Sequence, residues 1–279
     1  MSVTTITEKS NNPFVVISWN VDGYNDDTHN WLKQLIQNNK PDVIFLSETK
    51  RSEPELIKRF SELGEYNYII NSHQPYRYHG VIFLIRKDHE YQKIEICMNI
   101  DTRKDATCNE AATGRVIVIK LLQKNLFIVG SYVPNSGRSD KVKLDYRTRI
   151  WDPTFEKLLE TLRASGPTMW VGDINAAATD LDVSNPKNMC KYAGFTPQER
   201  ANLKKFLENG EWIDIWRQQH PNEKQYTWRG YPHREKYGMR LDNIIISKSL
   251  LPFIMNSFIM PGPESSDHVP IGVYLSFSR

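Results

Sequence analysis

Side chains that can bind metals and phosphates stand at or just beyond the ends of several apolar segments in this sequence. In the stretch TMWVGDIN, Asp173 and Asn175 follow an apolar run, and residues two apart in an extended chain lie on the same face. The pattern occurs at five places, with these residues: Asn20 and Asp22, Glu48, Tyr132, Asp173 and Asn175, and Asp267 and His268. Loops at strand ends commonly carry the chemistry of a folded protein, so these residues are the first candidates for an active site.

The chemistry that these residue types favour is metal-assisted hydrolysis of a phosphoester. Carboxylates with amide and hydroxyl neighbours, and without a cysteine ligand, form a hard oxygen donor set that suits Mg²⁺ or Mn²⁺ better than zinc. Mg²⁺ takes only one or two carboxylates directly and completes its coordination with water and substrate phosphate. Each segment alone is also typical of a turn or a helix cap, because Gly, Asp and Asn are ordinary turn residues. The hypothesis of an active site therefore rests on the five segments taken together.

The composition is that of a well-cored globular protein. The 279 residues are 39% hydrophobic and 11% aromatic, which argues against a disordered chain. The formal charge of +3 gives no global basic field, although Lys and Arg in the loops allow a local basic face. Three cysteines, Cys97, Cys108 and Cys190, lack CxxC spacing, which predicts a reduced intracellular protein without a disulfide framework or structural zinc. A nuclear or a cytoplasmic location is equally compatible with this pattern.

The two ends of the chain set the expected domain boundaries. Residues 1–12 are polar and lack the apolar core of a secretory signal, so we expect a short disordered leader. No composition break or internal repeat divides the rest, which predicts one domain over residues 13–279. No apolar run approaches the ~18 residues that a membrane span requires.

Short apolar runs rich in β-branched residues predict the strands. The predicted strands are Phe14–Trp19, Val43–Leu46, Val81–Arg86, Ile94–Met98, Arg115–Leu122, Leu126–Val133, Thr168–Ile174, Ile244–Ser247 and Val269–Phe277. A turn at residues 123–125 joins two of them as a hairpin. We expect roughly ten or more strands in total.

Helical periodicity appears between these strands. Apolar residues at 31, 32, 35 and 36 predict a helix that ends at Lys40-Pro41, and residues 144–164 predict another with Pro153 near its start or at a kink. Thr196 and Pro197 predict an N-cap and first turn. Hairpins combined with helical crossovers predict an α/β fold with two packed mixed β-sheets flanked by helices.

Ten stretches then match one known family, in the family's own order, over about residues 14–277. They are ISWNVDG (17–23), PDVIFLSETK (41–50), GRVIVIK (114–120), YVPNSGR (132–138), YRTRIWD (146–152), GDIN (172–175), NPKN (185–188), AGFTPQER (193–200), RLDN (240–243) and SDHVPI (266–271). The chain resembles the exonuclease III-type apurinic/apyrimidinic (AP) endonucleases of base-excision repair, in the endonuclease/exonuclease/phosphatase superfamily. The metal and phosphate motifs also occur in DNase I-like nucleases, inositol-phosphate phosphatases and sphingomyelinases, whereas AGFTPQER and YVPNSGR are specific to the repair branch.

This resemblance implies a fold, an activity and a substrate. The fold is a four-layered α/β-sandwich of the DNase I-like type. The activity is Mg²⁺-dependent hydrolysis (Mn²⁺ being an alternative) of the phosphodiester 5′ to an abasic site, with 3′–5′ exonuclease or 3′-phosphodiesterase activity. The partner is double-stranded DNA with abasic or damaged 3′ sites, bound by a monomer away from any membrane.

The resemblance also implies the metal ligands. Glu48 is the principal ligand of Mg²⁺, and Asp22 lies beside it. Asp267 is a nearby or alternative carboxylate, and Asn20 helps to hold the site. The resemblance is compatible with a site that holds one metal ion and with a site that holds two.

Five residues are implied to act on the scissile phosphate. Asp173 activates water or protonates the leaving 3′ oxygen, and the sequence leaves both roles open. Asn175 donates a hydrogen bond to the phosphate, and Tyr132 lies against it. His268 bonds to a phosphate oxygen, with Asp242 behind it as an orienting carboxylate.

Substrate selection is implied to lie outside the metal site. Trp228, Met239 and Leu241 correspond to the apolar pocket that excludes nucleotides carrying a base, although many relatives have Trp at the Met239 position. Flipping an abasic sugar into such a pocket costs little, because no base is unpaired.

Contacts with the DNA duplex are implied for a further group of residues. Arg138 corresponds to a side chain that enters a groove of the kinked duplex, and Asn135 belongs to the same motif. Phosphate contacts are expected from Arg147 and Lys187. Without the resemblance, each of these charges would be interpreted as ordinary solvated surface.

Two other functions compete with this interpretation. A mobile-element endonuclease or a small-phosphoester phosphatase would share the metal and phosphate motifs. A catalytically dead DNA-binding protein would have lost some of them, and every metal and phosphate position is present in this sequence.

Overall fold

Two six-stranded β-sheets face each other and carry helices on their outer sides in the computed structural model, which describes residues 13–73, 78–98, 112–230 and 237–277. The predicted leader, residues 1–12, lies outside the described residues. The prediction of one domain over residues 13–279 stays a prediction.

The first sheet contains most of the N-terminal strands and the two C-terminal ones. Its strands are β1 (Phe14–Asn20), β2 (Val43–Ser47), β3 (Tyr66–Asn71), β4 (Val81–Arg86), β13 (Ile254–Ile259) and β14 (Ile271–Leu275). Their order across the sheet is β13-β14-β1-β2-β4-β3. Among these strands only β1 and β2 pair in parallel, so one parallel pair lies at the centre of the sheet.

The second sheet has the same plan. Its strands are β5 (Tyr91–Ile94), β6 (Val116–Leu121), β7 (Leu126–Tyr132), β8 (Thr168–Asp173), β9 (Trp212–Asp214) and β12 (Asp242–Ser247), in the order β5-β6-β7-β8-β12-β9. Its parallel pair is β7 and β8. A small separate ribbon pairs β10 (Trp228–Arg229) with β11 (Gly238–Met239).

The parallel pairs explain why the polar residues meet. A parallel pair needs a crossover connection, which a helix usually supplies, and both of its strands then end at the same edge of the sheet. In the first sheet Asn20 lies opposite Ser47, the residue before Glu48. In the second sheet Tyr132 lies opposite Asp173. Each sheet therefore presents two of the candidate residues at one edge.

The helices cover the outer faces of the sheets. They are α1 (Asp26–Asn39), α2 (Glu53–Phe60), α3 (Lys141–Asp145), α4 (Asp152–Ser165), α5 (Pro186–Met189), α6 (Pro197–Glu208) and α7 (Ile215–Gln219). Thr196 caps α6 by accepting a hydrogen bond from the backbone N–H of Glu199, and Pro197 is its first residue, as predicted. The first helix ends at Lys40, whose backbone is left-handed with φ 44°.

The long helix predicted over residues 144–164 is divided in the structure. A π-helical turn, Tyr146–Trp151, separates α3 from α4, and Pro153 lies in the first turn of α4. Proline supplies no backbone N–H and its ring clashes with the preceding turn, so a proline within a continuous helical run is accompanied by a break in the regular hydrogen bonding, here the π-helical turn. Arg147 lies within this π-helical turn and is buried.

Three apolar clusters fill the spaces between the layers. One lies between the two sheets and includes Phe45, Phe83 and Val171. A second packs the outer face of the first sheet under α1 and α2, and a third packs the outer face of the second sheet under α4 and α6. The layers are therefore helix, sheet, sheet and helix, as predicted.

Two expectations about the region after residue 90 are wrong. A strand was expected over Ile94–Met98, but β5 comes earlier and ends at Ile94. Cys97 is disulfide-bonded, although the spacing of the cysteines predicted reduced thiols, whereas Cys190 is free and exposed. The number of cysteines and their spacing in the sequence do not determine which of them form disulfides, because a disulfide forms where the fold brings two cysteine Cα atoms close enough together.

A group of buried ion pairs, here called the arginine cluster, lies behind β12. It consists of Asp182, Asp214, Arg217 and Arg240. Arg240 pairs with both aspartates: its Nε lies 2.8 Å from Asp182 Oδ1, and a terminal guanidinium nitrogen lies 2.7 Å from Asp214 Oδ2. A terminal guanidinium nitrogen of Arg217 lies 2.6 Å from Asp182 Oδ1. The ring of Trp216 lies about equally far from both guanidinium groups, at 5.0 and 5.2 Å. Two arginines thus balance two aspartates.

None of the described helices is both long and apolar enough to cross a membrane.

Candidate active site

One amide side chain joins the ends of the two sheets. Asn20 Nδ2 lies 2.9 Å from Glu48 Oε1 and 3.0 Å from Asp173 Oδ2, and 3.4 Å from His268 Nε2. Asn20 is fully buried, so these contacts are formed away from bulk water. The structure therefore brings together residues from four segments that are far apart in the sequence. We call Asn20, Glu48, Asp173, Asp242 and His268 the cleft cluster.

Three candidate residues around the cleft have an unfavourable backbone conformation. Asp22, Glu48 and Asn175 have positive φ angles of 44°, 53° and 50°. Such conformations are uncommon for residues other than glycine, and they concentrate where the surrounding structure fixes them for function. Gly172 meets a stricter requirement, because its φ is 137° and an added Cβ would lie 2.0 Å from the carbonyl oxygen of Ser131. Only glycine at this position lets β8 deliver Asp173.

Asp173 and Asn175 do lie together, as predicted, but β8 ends at Asp173 and a turn with a left-handed Asn175, rather than an extended chain, brings them together. Asp173 Oδ1 accepts a hydrogen bond from the backbone N–H of Asn175 at 2.8 Å, and Oδ2 accepts one from the Asn175 amide at 3.2 Å. The Asn175 amide also donates to the carbonyl oxygen of Val133, and its Oδ1 accepts from Asn135. The orientation of the amide is therefore fixed from both sides.

Burial and neighbouring charges shift the pKa values of two residues in this cluster. Burial, and then repulsion from Asp242, raises the pKa of Asp173 well above its ordinary value, although His268 and the N–H of Asn175 oppose the shift. Burial alone would lower the pKa of His268, but Asp242, with smaller contributions from Asp173 and Asp267, outweighs burial and raises it overall. His268 Nδ1 lies 2.7 Å from Asp242 Oδ2. Asp242 thereby fixes the ring and favours its charged form.

A second carboxylate pair lies at the edge of the cleft. Lys50 Nζ lies 2.6 Å from Asp22 Oδ1 and 2.8 Å from Glu48 Oε2, so these two carboxylates already hold a cation between them. Burial would raise the pKa of Glu48, but Lys50 and Asn20 together lower it overall. Oxygen donors that stay ionised and converge on one positive charge fit a divalent metal ion. Asp267, whose pKa is raised by burial, lies nearby with its Oδ1 3.8 Å from His268 Nε2.

Among the described residues, one further group of side chains is close enough to hold a metal ion. Ligand atoms of Asp173, Asp242 and His268 lie within 4.8 Å of one another. Asp242 and His268 share a hydrogen bond, which a metal ion bound by both atoms would break. The described residues therefore contain two adjoining groups of side chains that could hold a metal ion, and the group around Glu48 could do so without breaking the Asp242–His268 hydrogen bond.

The cleft itself has a volume of about 340 Å³. Its lining brings together most of the residues that the sequence singled out: Asp22, Glu48, Tyr132, Asn135, Arg138, Asp173, Asn175, Trp228, Met239, Leu241, Asp267 and His268, together with Tyr192 and Ala193. Trp228 Nε1 donates to Asp267 Oδ2 at 2.9 Å, which connects the apolar wall to the acidic floor. Met239 and Leu241 belong to a small apolar cluster of their own.

Tyr132 lines the same cleft as the candidate metal-binding carboxylates, and its hydroxyl forms a hydrogen bond with Glu48. Its ring is covered by the guanidinium of Arg115, 5.1 Å from the ring centroid. Burial, followed by the nearby charges of Glu48 and Asp173, raises the pKa of the Tyr132 hydroxyl well above its ordinary value. The hydroxyl therefore stays protonated and can donate a hydrogen bond to an anion.

The predicted phosphate contact of Arg147 is wrong, because the structure does not place this side chain where it could contact DNA. Only 3% of the residue is exposed. Its guanidinium donates to the carbonyl oxygens of Pro134, Ile174 and Asn175, and forms an ion pair with Asp152. Arg147 therefore supports the loops that follow β7 and β8 and carry the site.

Lys187 also lies apart from the cleft lining. It is exposed on the short helix α5, so its predicted phosphate contact stays a prediction. Sequence reasoning in turn overlooked Lys50, Tyr192 and Ala193, which belong to the site. Lys50 follows Glu48 by two residues in SETK, and that spacing was the available signal.

The comparisons with known proteins agree with this geometry. Residues 17–268 match the model of the Endonuclease/Exonuclease/phosphatase family. The chain belongs to this family. The match spans the segments that deliver the cleft residues, from β1 to His268. The predicted family is therefore confirmed, together with the expected class of hydrolytic enzyme.

Curated members of the family are similar over nearly the whole chain. A Dictyostelium discoideum protein named DNA-(apurinic or apyrimidinic site) endonuclease is 35% identical over 96% of this chain and 72% of its own length. A Danio rerio protein named DNA repair nuclease APEX1 is 33% identical over 94% of this chain and 82% of its own length. A Bacillus subtilis protein named exodeoxyribonuclease is 28% identical over 94% of this chain and 99% of its own length.

Solved structures of this family share the fold. An AP endonuclease from Leishmania major superposes with a TM-score of 0.80 at 24% identity, covering 95% of this chain and 88% of that one. An AP endonuclease from Archaeoglobus fulgidus also gives 0.80, at 22% identity, covering 94% and 99%. The predicted DNase I-like sandwich is therefore confirmed.

Proposed function

We propose that this chain is a metal-dependent DNA-(apurinic or apyrimidinic site) endonuclease, which hydrolyses the phosphodiester bond 5′ to an abasic site as part of base-excision repair. A 3′–5′ exonuclease or 3′-phosphodiesterase activity of the same cleft is included in the proposal. The observation that carries it is the contact of Asn20 Nδ2 with both Glu48 and Asp173, at 2.9 and 3.0 Å. One amide thus places a metal-binding carboxylate beside a carboxylate that exchanges protons. The names of the curated relatives support the choice of substrate.

We assign Mg²⁺, with Mn²⁺ as an alternative, to the oxygen donors around Glu48. Asp22 and Asp267 would complete the set, and Asn20 would hold it. Their excess negative charge, for which Lys50 is the nearest partner, supports this assignment. When bound, a divalent cation would neutralise phosphate oxygens and lower the pKa of a water molecule.

The remaining cleft residues bind the phosphate and move a proton. The raised pKa of Asp173 brings its proton exchange toward neutral pH, which is the condition for efficient general acid or base catalysis. The charged ring of His268 would donate from Nε2 to a phosphate oxygen, while Asp242 holds Nδ1. The Tyr132 hydroxyl and the Asn175 amide would donate to the same group.

Substrate selection is assigned to the apolar wall of the cleft. A flipped abasic sugar would lie against Trp228, Met239 and Leu241. The duplex on either side would contact Arg138 and Asn135, which are exposed at the rim. We propose that one copy of the chain suffices for the reaction.

The decisive experiment uses two labelled duplexes, one with a single abasic site and one undamaged. With Mg²⁺, the wild type should cut the abasic duplex on the 5′ side of the lesion and leave the undamaged one largely intact. EDTA should stop the reaction, and added Mg²⁺ should restore it. A matched duplex with a blocked 3′ end measures the second activity.

Two variants locate the activity in this cleft. Glu48→Ala should lose cleavage, whereas Glu53→Ala removes an exposed glutamate from α2 and serves as the control. Equal cutting of both duplexes would contradict the proposed substrate. Full activity of Glu48→Ala would contradict the proposed site.

A further inference from the structure

Three side chains form a ladder at the mouth of the cleft. The guanidinium carbon of Arg138 lies 5.1 Å from the centroid of the Tyr192 ring. The rings of Tyr192 and Tyr237 are stacked, with centroids 6.1 Å apart and planes 20° apart. Arg138 and Tyr192 both line the cleft. The ladder thus connects the loop after β7 with the loop before α6 and with the β10–β11 ribbon.

The backbone around Arg138 is held in a tight turn. Gly137 and Ser139, its two neighbours, both have positive φ angles, of 69° and 59°. The N–H of Gly137 donates to Asn135 Oδ1 at 2.8 Å. The turn fixes the Cα of Arg138, but it leaves the long side chain free to rotate.

No carboxylate of the described residues forms an ion pair with Arg138. The side chain is exposed, so electrostatic pairing within the described parts of the protein does not decide where the guanidinium points. The ring of Tyr192 is the group on which it rests. An arginine stacked on an aromatic face keeps its charge and its five N–H donors for another partner.

Tyr192 is anchored from below. Its backbone N–H donates to the carbonyl oxygen of Met189, and its own carbonyl oxygen accepts from Phe195. Its ring packs on the small apolar cluster that contains Met239 and Leu241, the wall of the cleft. The platform under Arg138 is therefore part of the same packed unit as the substrate wall.

We propose that Tyr192 is a positioning residue, whose ring holds Arg138 at the cleft mouth in the orientation that engages the DNA duplex. The inference rests on the proposed function and adds a residue that determines duplex binding. The inference follows from the cation–π contact of Tyr192 with Arg138 and from the stacking of Tyr192 on Tyr237. Long arginine side chains lose much rotational freedom on binding, so a side chain held in advance binds more tightly.

The test compares two substitutions at Tyr192. Tyr192→Leu keeps apolar volume but removes the aromatic face, and it should weaken binding of an abasic duplex about 2- to 5-fold, the usual range for an exposed cation–π contact. The loss should appear in KM rather than in kcat. Tyr192→Phe keeps the ring and should bind within about 2-fold of the wild type. Thermal unfolding of both variants identifies any loss of folding.

A double-mutant cycle separates positioning from packing. Arg138→Ala alone should weaken duplex binding, and Tyr192→Leu should add almost nothing in that background, because the partner has gone. Binding is measured by fluorescence anisotropy in EDTA, so that cleavage does not interfere. If Tyr192→Leu weakens binding equally with and without Arg138, or if Tyr192→Phe behaves like Tyr192→Leu, the inference is overturned.

The same data distinguish this inference from the proposed function. A wild type that binds the duplex with the predicted coupling, but does not cut abasic DNA, would overturn the proposed function alone. A wild type that cuts abasic DNA without any coupling would overturn the positioning role alone. A failure to bind duplex DNA at all would overturn both.

Discussion

Two groups of buried charges in this protein differ in how they are balanced. In the arginine cluster, two guanidinium groups meet two carboxylates at 2.6 to 2.8 Å, and Trp216 packs against both arginines. In the cleft cluster, Glu48 pairs with Lys50 at the edge, whereas Asp173 and Asp242 share the single cationic ring of His268. Asp242 Oδ1 has no hydrogen-bond partner among the described residues. The first group is electrostatically complete, whereas the second is not.

The pKa shifts of the two groups follow from this difference. Burial would raise the pKa of Asp182, but Arg240 and Arg217 lower it to about 2. Burial and Asp242 together raise the pKa of Asp173 instead. Buried carboxylates that are fully paired are a feature of structure, whereas carboxylates left with excess negative charge in a cleft indicate a site for cations and for proton transfer.

The largest expected effect separates catalysis from stability in the cleft cluster. Asp173→Asn should slow cleavage of the abasic duplex about 100- to 10,000-fold, because the side chain can no longer exchange a proton. Its free energy of unfolding should change by less than about 1 kcal/mol, since lost hydrogen bonds and relieved repulsion oppose each other. Single-turnover kinetics and urea unfolding measure the two quantities. Asp27→Asn, an exposed residue of α1, is the control, and wild-type cleavage by Asp173→Asn would show that this carboxyl is dispensable.

The arginine cluster should respond in the opposite way. Arg240→Met leaves Asp182 and Asp214 buried without their main partner, which should cost about 3 to 5 kcal/mol of the free energy of unfolding. Arg163 also pairs with two carboxylates, Glu160 and Glu211, but at the surface. Arg163→Met should therefore cost less than about 1 kcal/mol in the same urea titration. Similar losses for both variants would mean that burial does not distinguish the two sets of pairs.

The smallest of the three effects is the acid sensitivity of the arginine cluster. Asp182 has a depressed pKa of about 2 in the folded protein, so its contribution is present above the unfolded pKa and is lost as the pH falls. The contribution is about 2 kcal/mol and should disappear between about pH 4 and about pH 2. Urea midpoints measured across this range should show the gap between the wild type and Asp182→Asn closing by that amount. Asp180→Asn, on the exposed side of the same turn, should show no such convergence.

Much of the site could be predicted because it lies at the ends of recognisable strands. Asp173 and Asn175 follow an apolar run, which marked them as candidates, although a turn with a left-handed Asn175 brings them together rather than the period of an extended chain. The length of the helix over residues 144–164 was also readable, but its π-helical turn was not. No periodicity reports a single extra residue in a helical turn, and the buried Arg147 lies within that turn.

Other features had no local signal at all. Tyr192 lies in the stretch NMCKY, and nothing in those letters places it against Arg138, more than fifty residues away. The pairing of Cys97 likewise depends on distance in the fold rather than on spacing in the chain. Contacts of this kind form between loops, whose paths are set by the elements around them.

The sequence by itself determined the family, the layered fold and the residues that gather at the strand ends, because periodicity and motifs are local properties of the chain. Only the tertiary structure decided how these residues share charge. The excess negative charge at Asp173, the balance around Arg240 and the inward path of Arg147 all depend on which charges burial brings together. Electrostatic energies depend on distance and solvent exposure, and both quantities exist only once the chain is folded.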